Sequence, residues 1–308
     1  MSSGLGQDTS SSDQRIDYSV VESYFQAAGR DTAATASYMA HEQNLPENSV
    51  RYRLRKEIET IADWLELVPR TGRVLDVGCG AGTWTRFFAD RYDSVVGIEQ
   101  SPSMVAAAQT LLAPCLGAKI VEGDIREDLP EGPFDLIFLG GLCMYLNDRD
   151  VVAILRSLKD RLATGASIVL RESTVPQGKV TARGDYQAVY RNVSLYQDLF
   201  REAGFPTSDI RRNYAYTSME VAVELVETRR KYLRFLPAQS PFLGALTWYS
   251  LRAIAPLTFW LLPRVLSRLQ IKWPRLQNHF FRLRPPESSR RSDLRHVGPK
   301  SPPIHSGQ

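Results

Sequence analysis

Cysteine and histidine are scarce: the 308-residue chain contains three cysteines and four histidines. An odd number of cysteines without paired spacing favours a reduced, intracellular setting over a disulfide framework. The His and Asp residues show no metal-ligand spacing, so no metal site is predicted. The first residues are polar and rich in serine, without a basic segment or an apolar core, and we therefore expect no signal peptide.

Acidic residues are nearly absent from the last quarter of the chain. Residues 228–308 contain two of them and carry a net charge of +13, whereas residues 1–227 carry −9. This asymmetry indicates an anionic partner for the basic part, either a membrane surface or nucleic acid. The arginines of residues 285–308 have no aromatic residues between them, which favours the membrane over nucleic acid.

A long apolar run without a charge or a proline is also missing. Residues 242–262 are apolar, but Arg252 lies near their middle and Pro256 follows. An arginine at the centre of a bilayer costs about 2.5–3.5 kcal/mol, and proline weakens a helix, so a membrane span is the least favoured interpretation. With helical period, residues 264–276 place basic and apolar side chains on separate arcs. We predict a membrane-surface element over residues 241–284; packing on the rest of the chain and dimerisation are the alternatives.

One glycine-rich stretch carries the clearest chemistry. Residues 73–84 read Arg-Val-Leu-Asp-Val-Gly-Cys-Gly-Ala-Gly-Thr-Trp, which predicts a buried strand, a tight turn and then a helix. Alternate glycines let the backbone turn sharply and leave no side chain between it and a ligand at the carboxyl end of the strand. A dinucleotide-binding turn would need a glycine where Thr83 stands, and an acid two residues before the first glycine suits a ligand with an ammonium group.

This stretch resembles motif I of the class I S-adenosylmethionine-dependent methyltransferases. Later segments continue the resemblance in the family's order, at residues 94–99, 119–125, 134–140 and 162–170. The resemblance covers roughly residues 50–230 and implies S-adenosylmethionine as the cofactor. It also implies a Rossmann-like α/β fold, with a seven-stranded, mostly parallel sheet and helices on both faces.

The resemblance assigns cofactor contacts to the ends of the strands. It implies that Asp76 lies near the methionine ammonium group, Glu99 binds the ribose and Asp124 binds the adenine amino group. The glycines provide close backbone contact. The predicted cofactor-binding residues are Asp76, Gly78, Gly80, Gly82, Glu99, Gln100, Asp124, Ile125 and Gly140.

Composition and periodicity divide the chain into five parts. We predict a disordered segment (1–14), an N-terminal helical cap (15–70), a methyltransferase domain (71–231), an apolar and basic helical extension (232–284) and a disordered tail (285–308). The last two strands of the sheet are predicted at about 209–216 and 220–228.

The acceptor side is less specified, because transfer from a sulfonium needs mainly alignment and, in some cases, removal of a proton. The Asn/Asp-Pro-Pro-Tyr/Phe motif of amino-methylating DNA and protein-glutamine enzymes is absent. Candidates for proton removal are Glu172, Tyr145 and His41, and candidates for acceptor binding are Arg171, Tyr186, Tyr190 and Arg191. The alternatives are that Arg171 and Glu172 pair with neighbours, and that His41 lies on a helix surface.

We predict a methyltransferase that acts on an oxygen or nitrogen of a small-molecule or lipid-linked acceptor. We expect it in the cytoplasm, peripheral to the inner face of a membrane. The alternative is a non-catalytic cofactor-binding scaffold or regulator, but such a protein is free to lose the acids at residues 76, 99 and 124. An aminopropyl transferase is disfavoured because Gly-Gly-Leu-Cys follows the fourth strand, where extra acids for a polyamine are expected.

Overall fold

The computed structural model describes residues 15–30, 44–237, 239–269 and 275–286. These residues form one nine-stranded sheet, in the order β3-β2-β1-β4-β5-β7-β6, with β9 pairing with β5 and β8. The strands are β1 Arg73–Val77, β2 Ser94–Glu99, β3 Ala118–Glu122, β4 Phe134–Leu139, β5 Leu162–Thr174, β6 Lys179–Ala182, β7 Ala188–Arg191, β8 Ser208–Arg212 and β9 Gln277–Leu283.

Helices cover both faces of this sheet, and the mostly parallel α/β architecture predicted from the sequence is confirmed. The helices are α1 Tyr18–Arg30, α2 Glu47–Glu66, α3 Thr83–Ala89, α4 Pro102–Leu112, α5 Asp148–Lys159, α6 Val193–Glu202, α7 Tyr214–Tyr232, α8 Pro241–Ala253 and α9 Leu262–Arg268. Strands β1 to β5 pair in parallel. The described sheet exceeds the predicted seven strands because an antiparallel hairpin, β6–β7, was not foreseen.

The end of the sheet differs from the prediction. Residues 220–228, predicted as a strand, belong to helix α7, and residues 277–283, predicted as part of a helical extension, form β9. Strand β9 runs antiparallel between β5 and β8, so it occupies the position intended for residues 220–228. The chain therefore makes a helical excursion between β8 and β9, and the sheet ends at residue 283 rather than before residue 231.

In β9, apolar and polar residues do not alternate as they do in a strand with one exposed face. The reason lies in two adjacent residues. Phe280 packs with Ile61 and Phe88 on one face of the sheet, whereas Phe281 packs with Leu155 and Phe200 on the other. Successive side chains of a strand point to opposite faces, and helices cover both faces here. Both positions are therefore apolar.

Parallel pairing brings the carboxyl ends of four strands to one edge of the sheet. Val77 lies opposite Ile98 of β2 and Leu139 of β4, and Leu139 lies opposite Leu170 of β5. The residues that follow these positions are Gly78, Glu99, Gly140 and Arg171. Predicted cofactor and acceptor residues are therefore neighbours at this edge.

Helix α8, in the segment between β8 and β9, packs one apolar face against helix α7. Trp248 and Leu251 of α8 are buried against Met219 and Ala222 of α7. A π-helical segment, Pro256–Leu261, separates α8 from α9. Within the described ranges, we find no helix with the length and apolar character that crossing a membrane requires.

Candidate active site

The turn after β1 is shaped for close approach by a ligand. Gly78 and Gly80 have φ angles of +67° and +54°, the left-handed region that favours glycine. The amide N–H groups of Gly78 and Cys79 both donate to the Ile98 carbonyl, which fixes the turn against β2. A Cβ atom added to Gly80 would meet no atom of the described residues within 4 Å, so this glycine faces open space among them.

Asp76 places a buried carboxyl group beneath that turn. The residue is 1% exposed, and the Thr85 hydroxyl donates to its Oδ2 atom at 2.6 Å. Burial raises the pKa of Asp76 to about 7, although the Thr85 hydrogen bond and the charge of Arg171 act in the opposite direction. A positively charged ligand group nearby would favour the ionised form.

Glu99 reaches from the end of β2 to the same turn. Its Oε2 accepts from the Gly80 amide at 3.0 Å and its Oε1 from the Ser101 amide at 2.9 Å. Burial raises the pKa of this carboxyl group. Each carboxylate oxygen has a second lone pair, so Glu99 can hold the turn and accept from a pair of ligand hydroxyls at once. Gln100, which follows, is exposed.

Asp124 lies beyond β3 and is already engaged. The Arg126 Nε atom donates to its Oδ1 at 2.9 Å, and this hydrogen bond holds the pKa of Asp124 below its usual range. The Arg126 guanidinium lies 4.6 Å from the ring centroid of Tyr18 in α1. Ile125 is buried. Asp124 therefore lies at the predicted edge, with Arg126 as a neighbour that the sequence did not single out.

Arg171 connects β5 to the loop after β4. Its Nη2 donates to the Gly140 carbonyl at 2.9 Å, and its Nη1 lies 3.3 Å from both carboxylate oxygens of Glu57. Glu57 is fully buried on α2 and also accepts from Asn213 at 3.0 Å. The structure thus matches the alternative in which Arg171 pairs with a neighbour.

Glu172 is placed differently from a general base. It is fully buried, and its Oε1 accepts from the amides of Leu142 and Cys143 at 3.1 and 3.0 Å. The Tyr196 hydroxyl donates to Oε2 at 3.3 Å. Burial raises the pKa of Glu172 to about 6. The predicted proton-abstracting role gives way to a positioning role, because both oxygens hold the protein's own groups.

Arg191 is likewise an interior residue rather than an exposed anion-binding group. It is 1% exposed, and its guanidinium donates to Asp148 Oδ1 at 2.7 Å and to the carbonyls of Cys143 and Leu146 at 2.7 and 2.6 Å. These bonds tie β7 to the loop after β4. The predicted acceptor contact at Arg191 is therefore replaced by a structural one.

The three tyrosines predicted for the acceptor side, Tyr145, Tyr186 and Tyr190, lie in contact with one another. The hydroxyl oxygens of Tyr145 and Tyr186 are 3.2 Å apart, and those of Tyr186 and Tyr190 are 2.9 Å apart. Tyr24 and Phe25 of α1 pack edge-on against Tyr186 and Tyr145, with ring centroids 5.0 and 4.9 Å apart. Burial raises the pKa values of all three hydrogen-bonded tyrosines well above their ordinary value. These hydroxyls are therefore neutral hydrogen-bonding groups at physiological pH.

Two further residues were missed because they lie on α7, where a strand was predicted. Tyr216 lies 5.7 Å, ring centroid to Cζ, from Arg171, and Glu220 is buried one turn later. His41 lies outside the described residues. Among the residues that the structure describes, no group of three or more His, Cys, Asp or Glu side chains forms a metal site.

Comparison with known proteins identifies a methyltransferase domain in part of the chain. Residues 74–165, which include β1 to β4 and the glycine turn, match the family model described as a methyltransferase domain. This match covers less than half of the chain and supports the resemblance to the class I S-adenosylmethionine-dependent methyltransferases. The family, the fold and the cofactor predicted from motif I are confirmed.

Curated relatives of this methyltransferase have different acceptors. The alpha N-terminal protein methyltransferase 1 of Drosophila melanogaster is 29% identical over 144 residues, which cover 45% of this chain and 52% of the relative. The trans-aconitate 2-methyltransferase of Escherichia coli O17:K52:H18 is 32% identical over 160 residues, which cover 47% of this chain and 61% of the relative. The chain thus spans only about half to three fifths of these relatives.

Solved methyltransferase structures share the fold. A S-adenosylmethionine-dependent methyltransferase of Leishmania major has a TM-score of 0.52 and 20% identity, covering 63% of this chain and 76% of that one. The O-methyltransferase of a trans-AT polyketide synthase of Brevibacillus brevis has a TM-score of 0.52 and 15% identity, covering 77% and 73%. Identities this low show the architecture alone.

The geometry of the glycine turn after β1 is compatible with S-adenosylmethionine. Open space lies in front of Gly80, a buried carboxyl group at Asp76 suits a positively charged methionine end, and Glu99 can accept from a ribose diol. When bound, this cofactor supplies an activated methyl group.

Proposed function

We propose that this protein transfers a methyl group from S-adenosylmethionine to an oxygen or nitrogen of a small-molecule acceptor. The observation that carries the proposal is the glycine turn, where Gly80 faces open space and its amide donates to Glu99. In this proposal the acceptor contacts the hydrogen-bonded tyrosines, of which Tyr145 follows β4, the strand beside β1. A non-catalytic scaffold would need the turn but not this second polar surface.

Two glycine substitutions test the cofactor turn. Gly80 and Gly165 have φ angles of +54° and +80°, and an added Cβ meets nothing within 4 Å at either position. Both alanine substitutions therefore carry the same backbone strain, about 1–2 kcal/mol. Only Gly80→Ala places a methyl group in the cofactor space, since Gly165 lies near the start of β5, at the opposite end of the sheet. We expect Gly80→Ala to weaken S-adenosylmethionine binding by about tenfold or more in calorimetry, with Gly165→Ala binding like the unmodified protein.

Equal losses in the two variants would mean that backbone strain, rather than the ligand space, controls binding. Formation of S-adenosylhomocysteine in the presence of candidate acceptors then separates an enzyme from a scaffold. A protein that binds the cofactor and never releases S-adenosylhomocysteine with any acceptor is the non-catalytic alternative.

We also propose that the helical excursion contacts an anionic membrane surface, where small or lipid-linked acceptors are within reach. Phe242, Leu246 and Tyr249 follow helical spacing on α8 and are at least half exposed, whereas Trp248 is buried. An apolar face that remains in solvent is a feature of interaction sites. Residues 228–286 contain no acidic residue, so electrostatic attraction to anionic lipids accompanies the apolar face.

Vesicle binding of the full chain tests this surface. The double substitution Phe242→Gln/Leu246→Gln is expected to weaken binding to phosphatidylserine-containing vesicles by about tenfold or more, because each side chain buries apolar area in the interface. The control is Leu67→Gln/Leu116→Gln, which removes two well-exposed leucines elsewhere. Loss of binding in both variants, or binding that ignores salt and lipid charge, contradicts the proposed surface.

A further inference from the structure

Glu220 is a buried carboxyl group that the cofactor turn does not use. The residue is 5% exposed, and its Oε1 atom has no hydrogen-bond partner among the described residues. Tyr216, one turn earlier on α7, lowers the pKa of this carboxyl group, but less than burial raises it. Burial raises the pKa of Glu220 to about 8. Buried polar atoms are normally satisfied, so a partnerless oxygen points to a group that arrives from outside.

Tyr216 and Tyr190 lie near this carboxyl group and belong to a larger group of tyrosines. We call Tyr145, Tyr186, Tyr190 and Tyr216 the tyrosine cluster. The first three are joined by their hydroxyl groups, and the charges of Tyr216 and Glu220 contribute to the raised pKa of Tyr190. Tyrosine faces attract ammonium groups through cation–π interactions. A carboxylate beside several such faces is a recognition site for an organic cation.

The charged neighbours of Glu220 do not neutralise it. Glu224 and Glu227, on the same helix, raise its pKa, whereas Arg53 of α2 lowers it. Arg53 also lies 3.8 Å from Glu57, so its charge is shared with another buried carboxylate. Arg53 and Arg171 each lie 5.7 Å from the ring centroid of Tyr216, but both pair with Glu57. Arg275 pairs with Glu227. The Oε1 atom of Glu220 keeps no partner among the described residues, which favours a ligand with a positive charge.

The tyrosine cluster also lies next to the strand ends. Tyr145 ends the 3-10 turn Cys143–Tyr145 after β4, and the guanidinium of Arg171 joins the Gly140 carbonyl to the face of Tyr216. Gly140 begins the loop after β4, whose strand end lies beside that of β1. An acceptor held by the cluster would lie beside the cofactor edge.

We propose that Glu220 binds the protonated amine of the acceptor, which makes the substrate a primary or secondary amine methylated on nitrogen. This inference rests on the methyl-transfer function proposed above. Glu220 takes one proton from the ammonium group, and the neutral nitrogen then has a lone pair. That nitrogen forms a bond to the methyl carbon while the carbon–sulfur bond breaks and its electron pair stays on sulfur. The positive charge passes from sulfur to nitrogen, so charge and atoms balance.

Three ligands of similar shape and different charge test whether the proposed site requires a positively charged group. Benzylammonium, benzyl alcohol and benzoate are titrated by calorimetry into the full-length protein saturated with S-adenosylhomocysteine. We expect benzylammonium to bind at least about tenfold more tightly than benzyl alcohol, with benzoate the weakest, because a buried carboxylate distinguishes charge strongly. Glu220→Gln removes this preference, whereas Glu227→Gln, at an exposed position of the same helix, retains it.

The comparison of probes on the unmodified protein does not depend on how the variants fold. If the alcohol or benzoate binds as tightly as the ammonium ion, or if none of the three binds, the amine assignment is overturned. Retention of the preference in a folded Glu220→Gln variant overturns the role of Glu220. Failure of the unmodified protein to bind S-adenosylhomocysteine is a separate result, which contradicts the proposed function itself.

Discussion

The Glu99→Ala substitution is expected to weaken S-adenosylhomocysteine binding by about 100-fold, because two charge-assisted hydrogen bonds to the ligand are lost. The effect has a second source inside the protein. Glu99 also accepts from the amides of Gly80 and Ser101, so its removal loosens the turn that the ligand contacts. Calorimetry measures the affinity, and circular dichroism verifies that the variant is folded.

Glu122→Ala is the matched control for this prediction. Glu122 lies opposite Glu99 in the pairing of β2 with β3, but its side chain is exposed. Its removal changes the net charge by the same amount and leaves the turn unchanged. If the two variants bind equally well, a general electrostatic effect is acting and the ribose assignment fails.

The Arg191→Met substitution is expected to lower the free energy of unfolding by about 3–5 kcal/mol, since the loss of a fully buried guanidinium leaves buried carbonyl groups without their donor. Two carbonyls, of Cys143 and Leu146, lose their donor, and Asp148 loses one of its two cations. The same change frees the loop after β4 from β7. Urea unfolding measures the stability change.

Lys179→Met provides the comparison, because Lys179 is the other cation on Asp148, at 2.8 Å. It is more exposed than Arg191, so its loss should cost at most about 1 kcal/mol. Similar destabilisation by both substitutions would show that the charge of Asp148, rather than the buried guanidinium, controls the stability of this region.

The cofactor side of the site could be predicted from short stretches of sequence, because its residues lie in or next to the strand ends. The glycines at 78, 80 and 82 and the acids at 76 and 99 lie at strand ends that short apolar runs define. Their φ angles and backbone contacts agree with the predicted turn. Parallel pairing then brings these ends together without further information from the side chains.

Residue roles that depend on distant contacts could not be predicted in the same way. Arg171 and Glu57 are 114 residues apart in sequence, and nothing in either local pattern connects them. Glu172 was predicted to remove a proton and Arg191 to bind the acceptor because both come after the fifth predicted strand, but each bonds to backbone groups of the loop after β4. Charged residues become structural only when the fold supplies such partners.

The error over residues 220–228 has a specific cause. Val221, Val223 and Leu225 alternate with other residues and suggest a strand, whereas Glu220, Glu224 and Glu227 have the spacing of one helix face. Burial on nearly all sides of the first half of α7 hides the polar face that normally identifies a helix. Because that segment was interpreted as a strand, Tyr216 and Glu220 were not considered for the site.

The late position of β9 has a consequence for synthesis of the chain. Strand β5 is complete at residue 174, but its antiparallel neighbour begins at residue 277. A nascent polypeptide therefore carries an unpaired, apolar β5 edge while more than a hundred further residues are translated. Such edges recruit other strands, so the interval is the period of greatest risk of aggregation. We expect ribosome-bound chains that end before β9 to depend on chaperones, and the completed chain to be released from them when β9 emerges.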